Sequence, residues 1–393
     1  MDLSFYKTNE EGWCRYGFTT GEGDGYVNIY LEFPEKYDEW TDGSEDALVI
    51  LALHHIMRQD EPCRIHAQVD ANLLRGLEEY MRFWQVWSPD KYHCVPMSAD
   101  EEVARPSRLA ERSAITAFSG GVDANYCLYG HKHGLFGRNS LDVGAAVLLH
   151  GADIPLQQKE AYEYVYSLAR EDLAALDVEL IPMRTNYREN PHNWEHCFNI
   201  VVCAALRMFG GKFSHGTYAT DRTCLIEQNQ LPWGENPLVD HFESTPWFAF
   251  YPAGASVERT ARCLYISQFP AALKHLRVCW QHDANGKNCG KCEKCLRTQL
   301  NFLAANYHGP LPFSQEFDIR RLLGDSEWDP IFSYRFREIV NYHEKVSHAL
   351  PEHIIKPLAR KLKRSQNDVH HPLLRRFHHL CQKLRNVWRS SKH

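Results

Sequence analysis

The segment ANLLRGLEEYMRFWQVW at residues 71–87 spaces Leu74, Leu77, Met81 and Trp84 by 3, 4 and 3 positions. That spacing lines one side of a helix with apolar side chains. YVNIYLEF (26–33) and CRIHAQV (63–69) have strand composition, and YHCVPM (92–97) reads as the next strand. Together they predict a small α/β domain over residues 1–105. SADEEVARPSRLAERS (98–113) is charged, contains Pro106 and reads as a linker.

From Ser113 the pattern becomes strand, helix, strand. AITAF predicts a strand, VDANYCLYGHKHG a helix ending at Gly134, and AAVLLH (145–150) a second strand. A helix over 157–177, the strand VELIPM (178–183), a helix ending at Gly210-Gly211 and the strand KFSHG (212–216) follow. Apolar strands alternating with helices predict a doubly wound parallel sheet covered on both faces. Ligands of such sheets sit beyond the carboxyl ends of the strands. This domain is predicted over residues 106–310, and a helical region over 311–393.

Composition adds little to this picture: 44% hydrophobic and 24% charged residues suit a globular protein. A net charge of −6 excludes a chain-wide attraction to nucleic acid, but the charge is uneven. From Lys356 to His393, eleven lysines and arginines face one acid, Asp368, and Leu373, Leu374, Phe377, Leu380 and Leu384 recur at helical spacing. The tail reads as a basic amphipathic helix that docks on the acidic body or on a second copy, or that holds RNA, DNA or an acidic partner. The first residues lack the basic-then-apolar pattern of a signal peptide, and ALVILAL (47–53) is too short to span a bilayer. The expectation is a cytoplasmic protein with no membrane partner. His54 and His55 are adjacent, point about 100° apart on a helix and read as structural.

Two motifs carry chemistry. The first is Ser119-Gly120-Gly121-Val122-Asp123-Ala124, between a strand and a helix. Gly120 and Gly121 allow positive φ and let main-chain amides approach phosphate oxygens, while the helix N-terminus faces the anion. Ser119 adds a hydroxyl, and Asp123 suits Mg²⁺ or an amide cap. The motif is neither a Walker loop nor a dinucleotide fingerprint. The second is CWQHDANGKNCGKCEKCLRTQLNF, with Cys279, Cys289, Cys292 and Cys295 spaced to close a tetrahedron around Zn²⁺. Lys287, Lys291, Lys294 and Arg297 would offset the thiolate charge. The other nine of the 13 cysteines (Cys14, Cys63, Cys94, Cys127, Cys197, Cys203, Cys224, Cys263, Cys381) are scattered and read as core.

Other polar groups cluster near predicted strand ends. His150, Gly151 and Asp153 follow the second strand of the domain, and Thr217, Tyr218 and Asp221 end the fourth. In PWGENPLVDHFES, Trp233 can stack on a planar ring while Glu235, Asp240, His241 and Glu243 read its edges. Arg259 and Arg262 suit charge building on an α-phosphate.

The first motif resembles the PP-loop (SGGxDS) of the ATP pyrophosphatase superfamily, with Ala124 where that family has Ser or Thr. Asn125 is nearby and polar. Paired with NCGKCEKCLRT (288–298), it is similar to the 7-cyano-7-deazaguanine synthase family over roughly residues 114–302. HGADIPL (150–156), CLIEQNQ (224–230), PWGENPLVD (232–240) and LRVCWQ (276–281) point to a divergent branch. The resemblance implies an AMP-forming ligase or synthase using ATP, Mg²⁺ and Zn²⁺. Its ATP-binding residues would be Ser119, Gly120, Gly121, Val122, Asp123, Ala124, His150, Gly151, Asp153, Thr217 and Tyr218. Such an enzyme adenylates a carboxylate or amide oxygen of a deazapurine-like molecule, and ammonia or an amine then displaces AMP. A tRNA-modifying PP-loop enzyme and a nucleotide-binding sensor or defence-complex component without turnover are the alternatives, and a homodimer is left open.

Overall fold

A computed structural model of the chain describes residues 1–21, 23–224, 232–281, 285–324 and 330–370. Among them, ten strands form one sheet. These are β1 (Asp2–Glu10), β2 (Trp13–Thr20), β3 (Val27–Pro34), β4 (Cys63–Asp70), β5 (Met97–Val103), β6 (Ser113–Ala117), β7 (Asp142–His150), β8 (Glu179–Thr185), β9 (His215–Ala219) and β10 (Ala249–Ala253). The order is β10-β9-β6-β7-β8-β3-β2-β1-β4-β5. Pairing is parallel from β10 to β8 and from β1 to β5 through β4. The β8–β3–β2–β1 stretch is antiparallel. The fold is α/β with a large, mostly parallel sheet.

Helices α1 (Asp46–Ile56), α2 (Ala71–Trp87), α3 (Val122–Lys132), α4 (Lys159–Ala174), α5 (Trp194–Arg207), α6 (Arg259–Ile266) and α7 (Pro270–Lys274) accompany this sheet. The periodicity of α2 is read correctly from sequence. Asp70 caps it by accepting from the Asn72 N–H at 2.8 Å, and Leu74, Leu77, Tyr80, Met81 and Trp84 are buried. In the second turn of α2, Gly76 lies so close to the Phe242 carbonyl that a Cβ would sit 2.0 Å from its oxygen.

The expected boundary near residue 105 is not a domain boundary. β3 pairs with β8 through Leu31↔Thr185 and Glu32↔Arg184, so residues 1–105 extend the same sheet. One apolar core runs from Leu3 through Ile115 to Phe250. The division falls later: one compact unit is 1–289 with 311–314, the other 290–310 with 315–393. Of YHCVPM only Met97 is in a strand, as the first residue of β5, which runs into the expected linker and pairs with β4. The fourth strand of the predicted domain starts at His215, three residues later than expected.

The second unit holds α8 (Glu293–Ala304), α9 (Ile319–Gly324), α10 (Pro330–Tyr342) and α11 (Glu352–His370). Leu296, Leu300, Leu322, Phe336, Ile339, Leu358 and Leu362 share its core. The basic tail begins inside α11, where Lys356 pairs with Glu352 and Lys361 donates to the Leu323 carbonyl. Leu373, Leu374, Phe377, Leu380, Leu384 and Cys381 lie outside the described residues, as do residues 225–231 of CLIEQNQLPWG. No helix among the described residues is long and apolar enough to cross a membrane.

Candidate nucleotide site and metal centre

β6 lies between β7 and β9, although β9 follows β8 in the chain. Strand order therefore reverses at β6/β9, and such a switch point opens a crevice at the carboxyl ends. The Ser119–Asp123 loop leaves β6 at that end and enters α3. Of its two glycines only Gly120 takes positive φ, +73°. Gly121, the residue before α3, has φ −78°. Its lack of a side chain serves close approach instead: a Cβ would meet Ser119 Oγ at 3.3 Å and the Arg277 carbonyl at 3.4 Å.

The loop carbonyls are tied inward. Asn125 Nδ2 donates to the carbonyls of Gly120 (3.1 Å) and Gly121 (3.0 Å), and the Arg277 N–H donates to Gly120 (2.9 Å). Asn125 is thus spent on the loop and does not replace the hydroxyl missing at Ala124. Ala124 itself packs into the core beneath α3 with Val122 buried beside it. Gly120 is buried, while Ser119, Gly121 and Asp123 remain partly exposed.

Asp123, Arg259 and Arg262 come together. Arg259 Nη1 binds Asp123 Oδ2, and Arg262 Nη1 binds Oδ1 at 2.9 Å. Both arginines lie on α6 three residues apart and so share a face. Arg262, 1% exposed, also donates to the carbonyls of Thr220, Gly254 (2.7 Å) and Val257 (2.9 Å). It fastens the end of β9 to the Ser119–Asp123 loop.

His150 is turned away to structural work. Its ring stacks on Tyr162 at 4.2 Å, Nε2 bonds the Pro155 carbonyl at 2.9 Å, and burial lowers its pKa. Gly151 sits against the Thr185 carbonyl, and Asp153 is exposed. Thr217 and Tyr218 leave β9 on opposite faces, as adjacent strand residues must. Thr217 Oγ1 is engaged by the Tyr251 carbonyl (2.8 Å) and His131 (2.9 Å). Tyr218 takes a hydrogen bond from Asn199 Nδ2 at 3.1 Å.

The loop after β9 gathers buried acids. Glu235 accepts from the Asp221 N–H (2.8 Å); Asp240 accepts from the Asn236 N–H (2.9 Å) and Asn199 Nδ2 (3.3 Å). Glu243 is 1% exposed, and among the described residues no other residue hydrogen-bonds its carboxyl oxygens. Burial raises all three pKa values, helped by Asp221 at Glu235 and by Glu243 at Asp240; Glu243 is pushed up to about 8. Trp233 reaches Asp221 Oδ1 through its indole N–H (3.2 Å), with Arg222 over its ring. His241 is exposed and stands apart from this group. Sequence reasoning missed Arg277, Asn199 and Tyr80, which α2 brings near Glu243 and Asp240. No local motif marks them; only the fold makes them neighbours.

The Sγ atoms of Cys279, Cys289, Cys292 and Cys295 all lie within 4.8 Å of one another. Four sulfurs bound at about 2.3 Å to one tetrahedral ion sit roughly 3.8 Å apart, so a slight contraction completes a zinc site with no open position. Cys292 precedes the first residue of α8 and Cys295 lies in its first turn. A helix N-terminus favours thiolates there. The expected cationic screen is partly engaged elsewhere: Arg297 binds Glu293 at 2.6 Å and Lys287 lies over the Tyr164 ring. Cys14, Cys63, Cys127, Cys197, Cys203 and Cys263 are buried as expected, Cys94 is half-buried, and Cys224 is exposed. Compared with known proteins, the chain matches no family model, no curated protein and no solved structure.

Proposed function

We propose that this chain is a cytoplasmic, ATP-dependent synthase of the AMP-forming type, acting on a carboxylate of a planar, deazapurine-like molecule. One observation carries the reading. A Ser-Gly-Gly-x-Asp loop stands at the β6/β9 switch point with its carbonyls tied inward and its aspartate met by two arginines. Inward carbonyls turn main-chain N–H groups towards the crevice, where a triphosphate would dock.

A substrate carboxylate oxygen attacks the α-phosphorus, the bond to pyrophosphate breaks, and an acyl adenylate forms. Ammonia or an amine then attacks the acyl carbon, AMP leaves, and the amine gives up a proton. Arg259 and the loop amides stabilise charge on the phosphates, and Arg262 holds Asp123 and the β9 end in place. Mg²⁺ requires oxygen ligands and would share Asp123 with the phosphates, in competition with the two arginines. The amine's proton leaves to solvent, because burial pushes Asp240 and Glu243 towards their protonated forms. Four thiolates without an open position suit a structural zinc ion rather than sulfur transfer to tRNA, which supports the synthase over a thiolating enzyme. Burial of Ala124 in the core favours a second reading, nucleotide binding without turnover.

The test is incubation with ATP, Mg²⁺, ammonium and a 7-carboxy-7-deazaguanine, with nucleotides resolved by chromatography. AMP and pyrophosphate in equal amounts are expected. Production of ADP overturns the proposed chemistry, and tight ATP binding with no AMP supports the second reading.

A further inference from the structure

Asn288, beside Cys289, makes more contacts than a loop residue needs. It is 4% exposed. Its Oδ1 accepts from the N–H groups of Val278 (2.8 Å) and Cys279 (3.2 Å). Its Nδ2 donates to the carbonyls of Leu276 (2.7 Å) and Pro312 (2.9 Å). Its own carbonyl accepts from Ser314 N–H (3.1 Å) and Oγ (2.7 Å). The side chain therefore grips the main chain on both sides of Arg277.

Arg277 is the residue whose N–H holds the Gly120 carbonyl, at 2.9 Å. A trans peptide is planar, with its C=O and N–H pointing in opposite directions. Fixing the Gly120 carbonyl inward aims the Gly121 N–H the other way, to the side of Ser119 Oγ, 3.4 Å from it. Gly120 sits at positive φ and has no Cβ, so this peptide has little steric resistance to flipping. Its carbonyl is held by two hydrogen bonds, from Asn125 and from Arg277, while its N–H donates to Ser119 Oγ. The second depends on the segment that Asn288 grips, and that segment runs directly into Cys279.

We propose that Asn288 is a positioning residue for the phosphate loop, and that through it the state of the four-cysteine centre sets the orientation of the Gly120–Gly121 peptide. With the centre closed, the clamp holds the Gly121 amide outward to an anion. With the centre open, Cys279 moves, the Arg277 N–H leaves Gly120, and the loop loses its anion-binding form. The inference rests on reading the loop as a nucleotide site.

The experiment uses the full chain with Asn288→Ala and Asn288→Asp. It reads binding of a non-hydrolysable ATP analogue by calorimetry, metal content by mass spectrometry, and amide exchange across residues 118–122. Asn288→Ala is expected to keep one metal per chain, to bind the analogue roughly tenfold more weakly, a difference of about 1.4 kcal/mol, and to exchange faster at the loop. Asn288→Asp keeps an acceptor for the Val278 and Cys279 amides and is expected to recover part of the loss. Should Asn288→Ala lose its metal or fail to fold, the parent chain stripped with a chelator stands in for it, with weaker binding and faster loop exchange expected. Unchanged affinity and unchanged exchange in a metal-bearing Asn288→Ala chain, or in the stripped parent, overturn the proposal. A parent chain that binds no analogue overturns the nucleotide reading instead, and loop exchange alone then decides whether the clamp exists.

Discussion

Glu243 has a carboxyl buried with no hydrogen bond from another of the described residues and a pKa pushed up by burial to about 8 from an ordinary 4.5. The folded state keeps a proton there that the unfolded chain releases, so folding stability falls as pH rises from about 4.5 to about 8 and levels off above. Glu243→Gln removes that dependence. The variant is expected to match the parent near pH 5 and to exceed it by a few kcal/mol near pH 8, read by urea unfolding across that range. Equal stability at both ends would show that Glu243 is compensated in the folded chain. At this scale the sequence identified most of the groups now found together. Arg259 and Arg262 stand three apart in the sequence and are read there together. That they meet Asp123, 136 residues from Arg259, was not legible, because no local spacing encodes a contact made by folding.

Among the elements, α2 carries a conflict between propensity and packing. Gly76 in its interior would normally gain up to about 1 kcal/mol on change to Ala. Here the new Cβ would meet the Phe242 carbonyl 2.0 Å away, on the loop between Asp240 and Glu243. Overpacking of that kind costs about 1–3 kcal/mol, so packing wins. Gly76→Ala is expected to destabilise the chain in urea unfolding; a gain in stability would mean that helix and loop can separate freely. The strands missed from sequence include both edges of the sheet. β5 reads MSADEEV, and its charges break the apolar pattern that would mark a strand, yet charge on an edge strand discourages further pairing. β10 carries Pro252, which an edge position tolerates. Interior strands such as β7 and β8 were legible because burial on both faces leaves a continuous apolar run.

For the whole molecule, the cysteine centre offers a direct measurement. The purified chain is expected to carry one zinc ion, and removal with a strong chelator to lower Tm by roughly 5 °C or more. A metal-free chain with the same Tm would refute a structural ion. The four clustered cysteines were legible because three fall at a spacing that one tetrahedral ion would fix, and the Ser-Gly-Gly-x-Asp turn because two glycines between an apolar strand and a helix mark a tight bend. The sequence also determined the alternation of strand and helix from Ser113 onward, through its apolar periodicity. Only the tertiary structure decided that residues 1–105 extend the same sheet, that Arg277 rather than a second polar side chain backs the loop, and that Glu235, Asp240 and Glu243 are buried together. The reason is physical: periodicity and ligand spacing are local properties of the chain, whereas strand pairing and burial depend on contacts between segments that are far apart until the chain folds.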